Sequence, residues 1–299
     1  MRKFTVTHLL DLWHVSNESY SFILDEFAAN GATNIVLSDE HIIRIIRDPG
    51  MRKFYKETTK DSGLSFVDAH APFGNLINLN CPVPELHREK ILRALLALEI
   101  TAEFGVDTIT FHVGNLKIPG YTLEELHAET LRSLEEILPD AERLGVTICI
   151  ENSWNPACTA ERLLDIKEHF PTPALGFCYD SGHANLIGSE KAVTDPESAA
   201  AKAWALAGRK PVRDEQVLEK MLPHIVNCHL HDNDGLEDSH LIPLRGTIDW
   251  KKLMGTLGKA PRLKYIQNES IEVFRPGEGR RTSMRETMEN MEKILQMLP

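Results

Sequence analysis

The sequence predicts an α/β fold of the closed (β/α)8 type, a TIM barrel formed as a single domain over residues 1–299. Three observations lead there. Eight short, apolar, β-rich runs alternate with longer amphipathic segments, the pattern of repeated strand–helix units. Several runs are nearly continuous in apolar residues, as strands buried on both faces should be. A step from helix through glycine to strand occurs twice in the same form, Phe104-Gly105-Val106 and Leu144-Gly145-Val146. Glycine suits the left-handed position just past a helix end.

Taken in order, the predicted strands are Phe4–Thr7, Asn34–Leu37, Ser65–His70, Thr108–Val113, Thr147–Glu151, Ala174–Asp180, Ile225–His231 and Lys264–Glu269. The first two units have the weakest helical patterns between them. Glu85–Phe104 repeats apolar residues at i, i+3, i+4 and i+7 and ends at Gly105, which predicts a helix. Leu123–Leu144 behaves alike; Thr122 is its N-cap, Glu125 occupies the capping-box position and Gly145 closes it. The segment Ile187–Leu222 is long for one crossover and reads as a helical insertion near 187–222. Two helices are expected in it, near Pro196–Leu206 and Asp214–Met221, with Gly208-Arg209-Lys210-Pro211 as the loop between. Asp249-Trp250 opens a further helix, with Trp250 packed on the barrel. No linker or low-complexity tract divides the chain.

Composition narrows the class of function. Hydrophobic residues make up 42% and charged residues 26%, ordinary globular values with ample apolar mass for a core. The formal net charge of −11 disfavours binding to nucleic acid or anionic membrane, because an acidic surface repels phosphate. Five cysteines, an odd number without a CxxC pair, read as buried free thiols in a reducing compartment. The N-terminus lacks the apolar stretch and cleavage site of a signal peptide, and no window reaches the ~18 apolar residues of a membrane span. A cytoplasmic location is expected.

The informative polar residues sit at predicted strand ends. Strand three ends at His70, strand four at His112, strand five at Glu151 and strand six at Asp180, with His183 three residues on. Strand seven ends at His229 and His231, and strand eight at Glu269. A barrel gathers the C-terminal ends of its strands around one mouth, so these residues converge although distant in sequence. Alone, each is more often a structural histidine or a loop ion pair. Together, Glu151, Asp180 and Glu269 at one mouth would be costly to bury without a cation or partners. Carboxylates with one or two imidazoles suit one divalent ion: Mn²⁺, Mg²⁺, Co²⁺ or Zn²⁺.

Four runs carry a resemblance: Ile150-Glu151-Asn152, Asp180-Ser181-Gly182-His183-Ala184-Asn185, His229-Leu230-His231-Asp232-Asn233-Asp234-Gly235 and Asn268-Glu269-Ser270. The chain resembles the xylose isomerase-like TIM-barrel superfamily, which holds sugar isomerases and 3-epimerases, inosose dehydratases and endonuclease IV-type AP endonucleases. The match spans roughly His70 to Glu269. It implies one metal held by Glu151, Asp180, His229 and Glu269. Both His229 and His231 precede an aspartate by three residues, and alternation aims both to the same side of the strand. The distance onward to Gly246 favours His229, with His231 touching metal-bound water or substrate. The resemblance further implies that Glu151 and Glu269 act as proton-transfer groups on opposite faces of a small sugar or polyol substrate. His183 would hold a substrate oxygen, and His70, His112 and Asn152 would line the pocket.

Further candidates are weaker. Asp238 and His240 form a second metal pair or only a polar loop. Arg245 stands where relatives often have a Gly-Glu-Gly turn, here Leu244-Arg245-Gly246, and is a candidate cation for a substrate phosphate or carboxylate. Trp13, Phe73 and Trp154 are candidate sugar-stacking rings. Two alternatives to an isomerase or epimerase remain open: a dehydratase of a cyclic polyol, and an AP endonuclease with three zinc ions. The nine ligand types of the latter are all available, with His70, His112, His183, Asp238 and His240 completing the set. Its flanking sequences differ, however, since Asn152-Ser153-Trp154-Asn155 replaces an Ala-Gly-Gln-Gly-like run and Gly182-His183 replaces a Cys-His pair. No Gly-rich phosphate loop is present, which favours a free sugar or polyol. A homodimer is expected only from the resemblance.

Overall fold

A computed structural model describes residues 4–13, 15–114, 118–270 and 283–299. Eight parallel strands close into a barrel in sequence order. They are β1 (Thr5–His8), β2 (Asn34–Leu37), β3 (Ser65–His70), β4 (Thr108–Phe111), β5 (Thr147–Glu151), β6 (Leu175–Asp180), β7 (Ile225–Leu230) and β8 (Tyr265–Asn268). The barrel closes by pairing β1 with β8, Thr5 beside Tyr265 and His8 beside Asn268. The (β/α)8 fold predicted from sequence is the fold observed.

Outside the strands lie α1 (Asn17–Ala29), α2 (Asp39–Arg47), α3 (Met51–Asp61), α4 (Pro84–Glu103), α5 (Leu123–Leu144) and α6 (Ala160–His169). They are followed by α7 (Ser181–Gly188), α8 (Glu190–Thr194), α9 (Ala199–Leu206), α10 (Val217–Met221), α11 (Trp250–Leu257) and α12 (Met284–Leu295). Helix α5 has the expected bounds. Thr122 and Glu125 bond reciprocally at its start, and Gly145 ends it at φ 69°. Helix α11 opens on Asp249, whose side chain accepts from the Lys252 N–H.

The insertion after β6 differs from expectation. Within Ile187–Leu222 three short helices begin, not two, namely α8, α9 and α10, and α7 precedes them from Ser181. Helix α7 starts directly at the strand end because Asp180 caps it, its carboxylate accepting from the His183 N–H at 2.6 Å. The cap signal was present in the sequence, but Ser-Gly at the helix start masked it. Helix α9 begins at Ala199 rather than Pro196, because Ser198 supplies the cap.

The core surrounds the barrel and fills its lower part. Ile35, Ile109, Ile148, Phe177, Ile225 and Ile266 are buried, each at an alternate strand position facing the helices or the barrel axis. Towards the mouth the inward residues turn polar, and there the strand-end side chains meet.

Candidate metal centre and active site

Strand alternation stacks two polar layers at the mouth. The upper layer contains His70, Glu151, Asp180, His229 and Glu269, from β3, β5, β6, β7 and the end of β8. Two residues earlier on the same strands lie Asp68, Cys149, Cys178, Asn227 and Gln267, one layer below.

The tightest convergence is Glu151, Asp180, His229 and Glu269, all buried, each offering a ligand atom within 4.8 Å of the others. His229 Nδ1 is at the centre. It lies 3.0 Å from Glu151 Oε1, 3.0 Å from Glu269 Oε2 and 3.9 Å from Asp180 Oδ2. Glu151 Oε2 and Glu269 Oε2 are buried and have no hydrogen-bond partner. Three carboxylates crowded into one buried site, offset only in part by the neighbouring imidazoles of His112 and His229, are costly. A divalent cation removes that cost, and a donor set of three carboxylates and one imidazole suits it. These residues fit a bound metal.

Two further groups flank the first. His70 and His112 approach Glu151 from its other side: His112 Nε2 lies 2.9 Å and His70 Nε2 3.8 Å from Glu151 Oε2. On the opposite flank, Asp238 Oδ2 lies 3.5 Å from His183 Nε2 and 3.3 Å from His240 Nε2. The suspected pair Asp238 and His240 is therefore a cluster that includes His183. Three of these histidines share one feature. Nδ1 of His70 bonds the Ala71 carbonyl at 2.8 Å, Nδ1 of His183 the Asn152 carbonyl at 2.9 Å and Nδ1 of His240 the Glu269 carbonyl at 3.1 Å. A carbonyl only accepts, so Nδ1 carries a proton and Nε2 is the atom turned toward the carboxylates. His240 adopts φ 48°, a left-handed conformation that favours glycine, and such strain collects at functional sites.

The charges are mutually supporting. Burial pushes the Glu151 carboxyl up, but His229 and His112 outweigh it and hold the group well below the usual carboxylate range. Glu269 is likewise raised by burial and lowered further by His229 and His240, to about 2. Burial disfavours a charged His240, and Asp238 overrides this, raising it to about 9.

Above these groups a cleft of roughly 320 Å³ opens, within the size range of small-molecule sites. His70, His112, His183 and Glu269 form its floor, and Phe73 and Trp154 its walls. Phe73 stacks on His112 at 4.8 Å between ring centroids. Trp154 meets His183 edge-on. Trp13, 62% exposed, borders an adjoining recess with Asp11 and Asp39 that shares His70, Phe73 and Glu269.

A family model described as the xylose isomerase-like TIM barrel matches residues 26–294. The chain belongs to this family. Protein MJ1311 of Methanocaldococcus jannaschii, itself described as uncharacterized, is 27% identical over 198 residues. That match covers 64% of this chain and 59% of the relative, so the chain spans less than two thirds of the relative's length. Among solved structures, a D-tagatose 3-epimerase-like protein superposes with a TM-score of 0.74 at 20% identity, covering 99% of this chain and 98% of the other. The IOLI protein, solved with a binding zinc atom, superposes with a TM-score of 0.68 at 18% identity, covering 99% and 98%. At these identities the likeness is one of fold.

Within the family frame, His231 and Arg245 stand away from the cleft lining, and Asn152 borders it as expected. His231 does not line the cleft. It is fully buried, its Nε2 bonds both Asp180 oxygens at 3.1 Å, and its ring lies under His240 with centroids 3.9 Å apart. Strand alternation aims it inward, and the chain of the next loop then covers it. Arg245 lies on an exposed turn and pairs with Glu286 of α12, away from the cleft lining. The turn points outward because Asp232 anchors its base. Asn152 does border the cleft, but its amide is spent on backbone: Nδ2 donates to the Asp180 carbonyl at 3.1 Å, and Oδ1 accepts from the Asp180 N–H at 2.9 Å. It clasps β5 to β6.

Sequence reasoning missed two sets of residues. Asp232 organises the β7–α11 loop. The lower layer, Asp68, Thr110 and Asn227, forms a hydrogen-bonded group beneath His229. A polar residue two places before each of His70, His112 and His229 was the available signal.

Proposed function

We propose that the chain is a divalent-metal-dependent isomerase or epimerase of a small sugar or polyol-derived ketone. The observation that carries this reading is the buried Glu151–Asp180–His229–Glu269 cluster, with two carboxylate oxygens lacking hydrogen-bond partners at the floor of a cleft. These four residues would hold one Mn²⁺, Mg²⁺, Co²⁺ or Zn²⁺ ion. Such an ion, when bound, supplies Lewis acidity that polarises a carbonyl and stabilises a neighbouring enediolate.

The chain's own part is proton transfer. Removing a proton from the carbon beside a carbonyl needs an anionic base close by, and returning one to the other face needs a second group. Glu151 comes from β5 and Glu269 follows β8, and both are held as carboxylates by neighbouring imidazoles. Used together they give epimerisation; one used alone gives aldose–ketose isomerisation. His183, His70 and His112 offer contacts to substrate oxygens. Among the described residues the cleft lining contains no lysine or arginine, which supports an uncharged sugar or polyol over a phosphorylated one. The epimerase-like structural relative supports the same class.

The test is a panel of keto-sugars and cyclic polyol ketones incubated with the metal-loaded protein in D₂O, read by NMR. The reading expects deuterium at the carbon beside the carbonyl of at least one compound, falling roughly 10²–10⁴-fold in Glu151→Gln or Glu269→Gln. Loss of water from a polyol instead would mark a dehydratase.

A second reading rests on the three histidines with fixed Nδ1 protons. With His112 and Asp238 they could complete two more ion sites, the arrangement of a three-zinc phosphodiester hydrolase. Cleavage of abasic-site DNA by the zinc-loaded protein would favour it over the isomerase.

A further inference from the structure

His229 presents Nδ1 to the three carboxylates. A histidine that gives its Nδ1 lone pair to a metal keeps its proton on Nε2, and that proton needs an acceptor. His229 is fully buried, so the acceptor must be protein. Thr110 Oγ1 lies 3.4 Å from Nε2, and the Cys178 thiol, a weaker acceptor, also neighbours the ring.

Thr110 is itself held from below. Asn227 Nδ2 donates to Thr110 Oγ1 at 3.0 Å and to Asp68 Oδ2 at 3.0 Å. A carboxylate only accepts, so Asp68 fixes which end of the Asn227 amide faces it. Asp68 is anchored in turn by Thr108 Oγ1 at 2.5 Å and by the Ala69 N–H at 2.9 Å. All of Asp68, Thr108, Thr110 and Asn227 are buried. Strand spacing explains the meeting: Asp68, Thr110 and Asn227 each stand two residues before His70, His112 and His229.

We propose that Thr110, locked by Asn227 and Asp68, is a positioning residue that seats His229 with Nδ1 directed at the metal. The inference rests on the metal site proposed above and adds residues outside it. Buried polar groups chained this way across three strands restrict ring rotation more than packing alone can. Partners of this kind typically account for 10–100-fold in metal affinity.

The test is a Co²⁺ titration followed by visible absorption, which reports both affinity and ligand geometry. It is run on wild type, Thr110→Val, Thr110→Ser and Asp68→Asn, with Glu269→Ala identifying the signal of this site. Thermal unfolding of the chelator-treated proteins separates folding from binding. The expected result is about 10–100-fold weaker Co²⁺ binding and an altered spectrum for Thr110→Val, a smaller loss for Asp68→Asn, and wild-type behaviour for Thr110→Ser. Thr110→Val that binds as tightly as wild type, with only its melting temperature lowered, overturns the positioning role and leaves the metal site standing. A wild type that takes up no ion overturns both.

Discussion

His41 shows how a single buried polar side chain is tied to its surroundings. Its Nδ1 accepts from the Ser38 N–H at 3.1 Å, and its Nε2 faces the Tyr20 hydroxyl at 2.9 Å. Burial, helped by Arg44, pushes its pKa from 6.5 down to about 3. The unfolded chain therefore binds this proton more readily than the folded one. The stability involved is fully present above pH 6.5 and is lost as pH falls toward 3, at about 1.4 kcal/mol per pH unit. Urea unfolding between pH 6.5 and 4.5 should show a slope steeper by about that amount in wild type than in His41→Phe. Equal slopes would contradict it. Residue-level legibility was uneven. Glu151, Asp180 and Glu269 were readable because carboxylates ending apolar strands are conspicuous, whereas the choice of His229 over His231 rested on the resemblance and on the distance to Gly246. The burial of His231 was not, since it depends on Gly182, where a Cβ would overlap the His231 ring. A contact between the start of α7 and the end of β7 leaves no mark on local pattern.

Among the elements, the β7–α11 loop depends most on one side chain. Asp232 is buried and accepts from the backbone N–H groups of Asn233, Leu244 and Ile248 and from the Trp250 indole at 2.8 Å. It also pairs by backbone with Leu241. This loop carries Asp238 and His240. Replacing Asp232 by alanine strands several buried donors, and should cost about 3 kcal/mol or more in urea unfolding. A loss below about 0.5 kcal/mol, the scale of an ordinary surface substitution, would show that other contacts hold the loop. The strands and helices α4, α5 and α11 were legible from apolar period, caps and glycines. The run from Ser181 to Met221 was not, because helices of five to eight residues offer too few turns for a period to emerge.

At the scale of the whole molecule, the barrel converts six separate strand ends, those of β3 to β8, into one charged floor. Closure between β1 and β8 brings Glu269 to the same mouth as Glu151 and Asp180, and no local sequence feature requires that. The fold class and the convergence were legible because alternation of strand and helix admits few topologies. The division of the floor into three ligand groups was not, because it depends on side-chain direction. Among the described residues no helix is long and apolar enough to cross a membrane. The central claim is that this floor holds a catalytic divalent ion on Glu151, Asp180, His229 and Glu269. The most direct test is elemental mass spectrometry of protein purified without chelator, wild type beside Glu269→Ala. The account predicts about one Mn, Mg, Co or Zn per wild-type chain, lost or sharply reduced in the variant. Close to three zinc ions per chain, or no retained divalent ion in wild type, would contradict it.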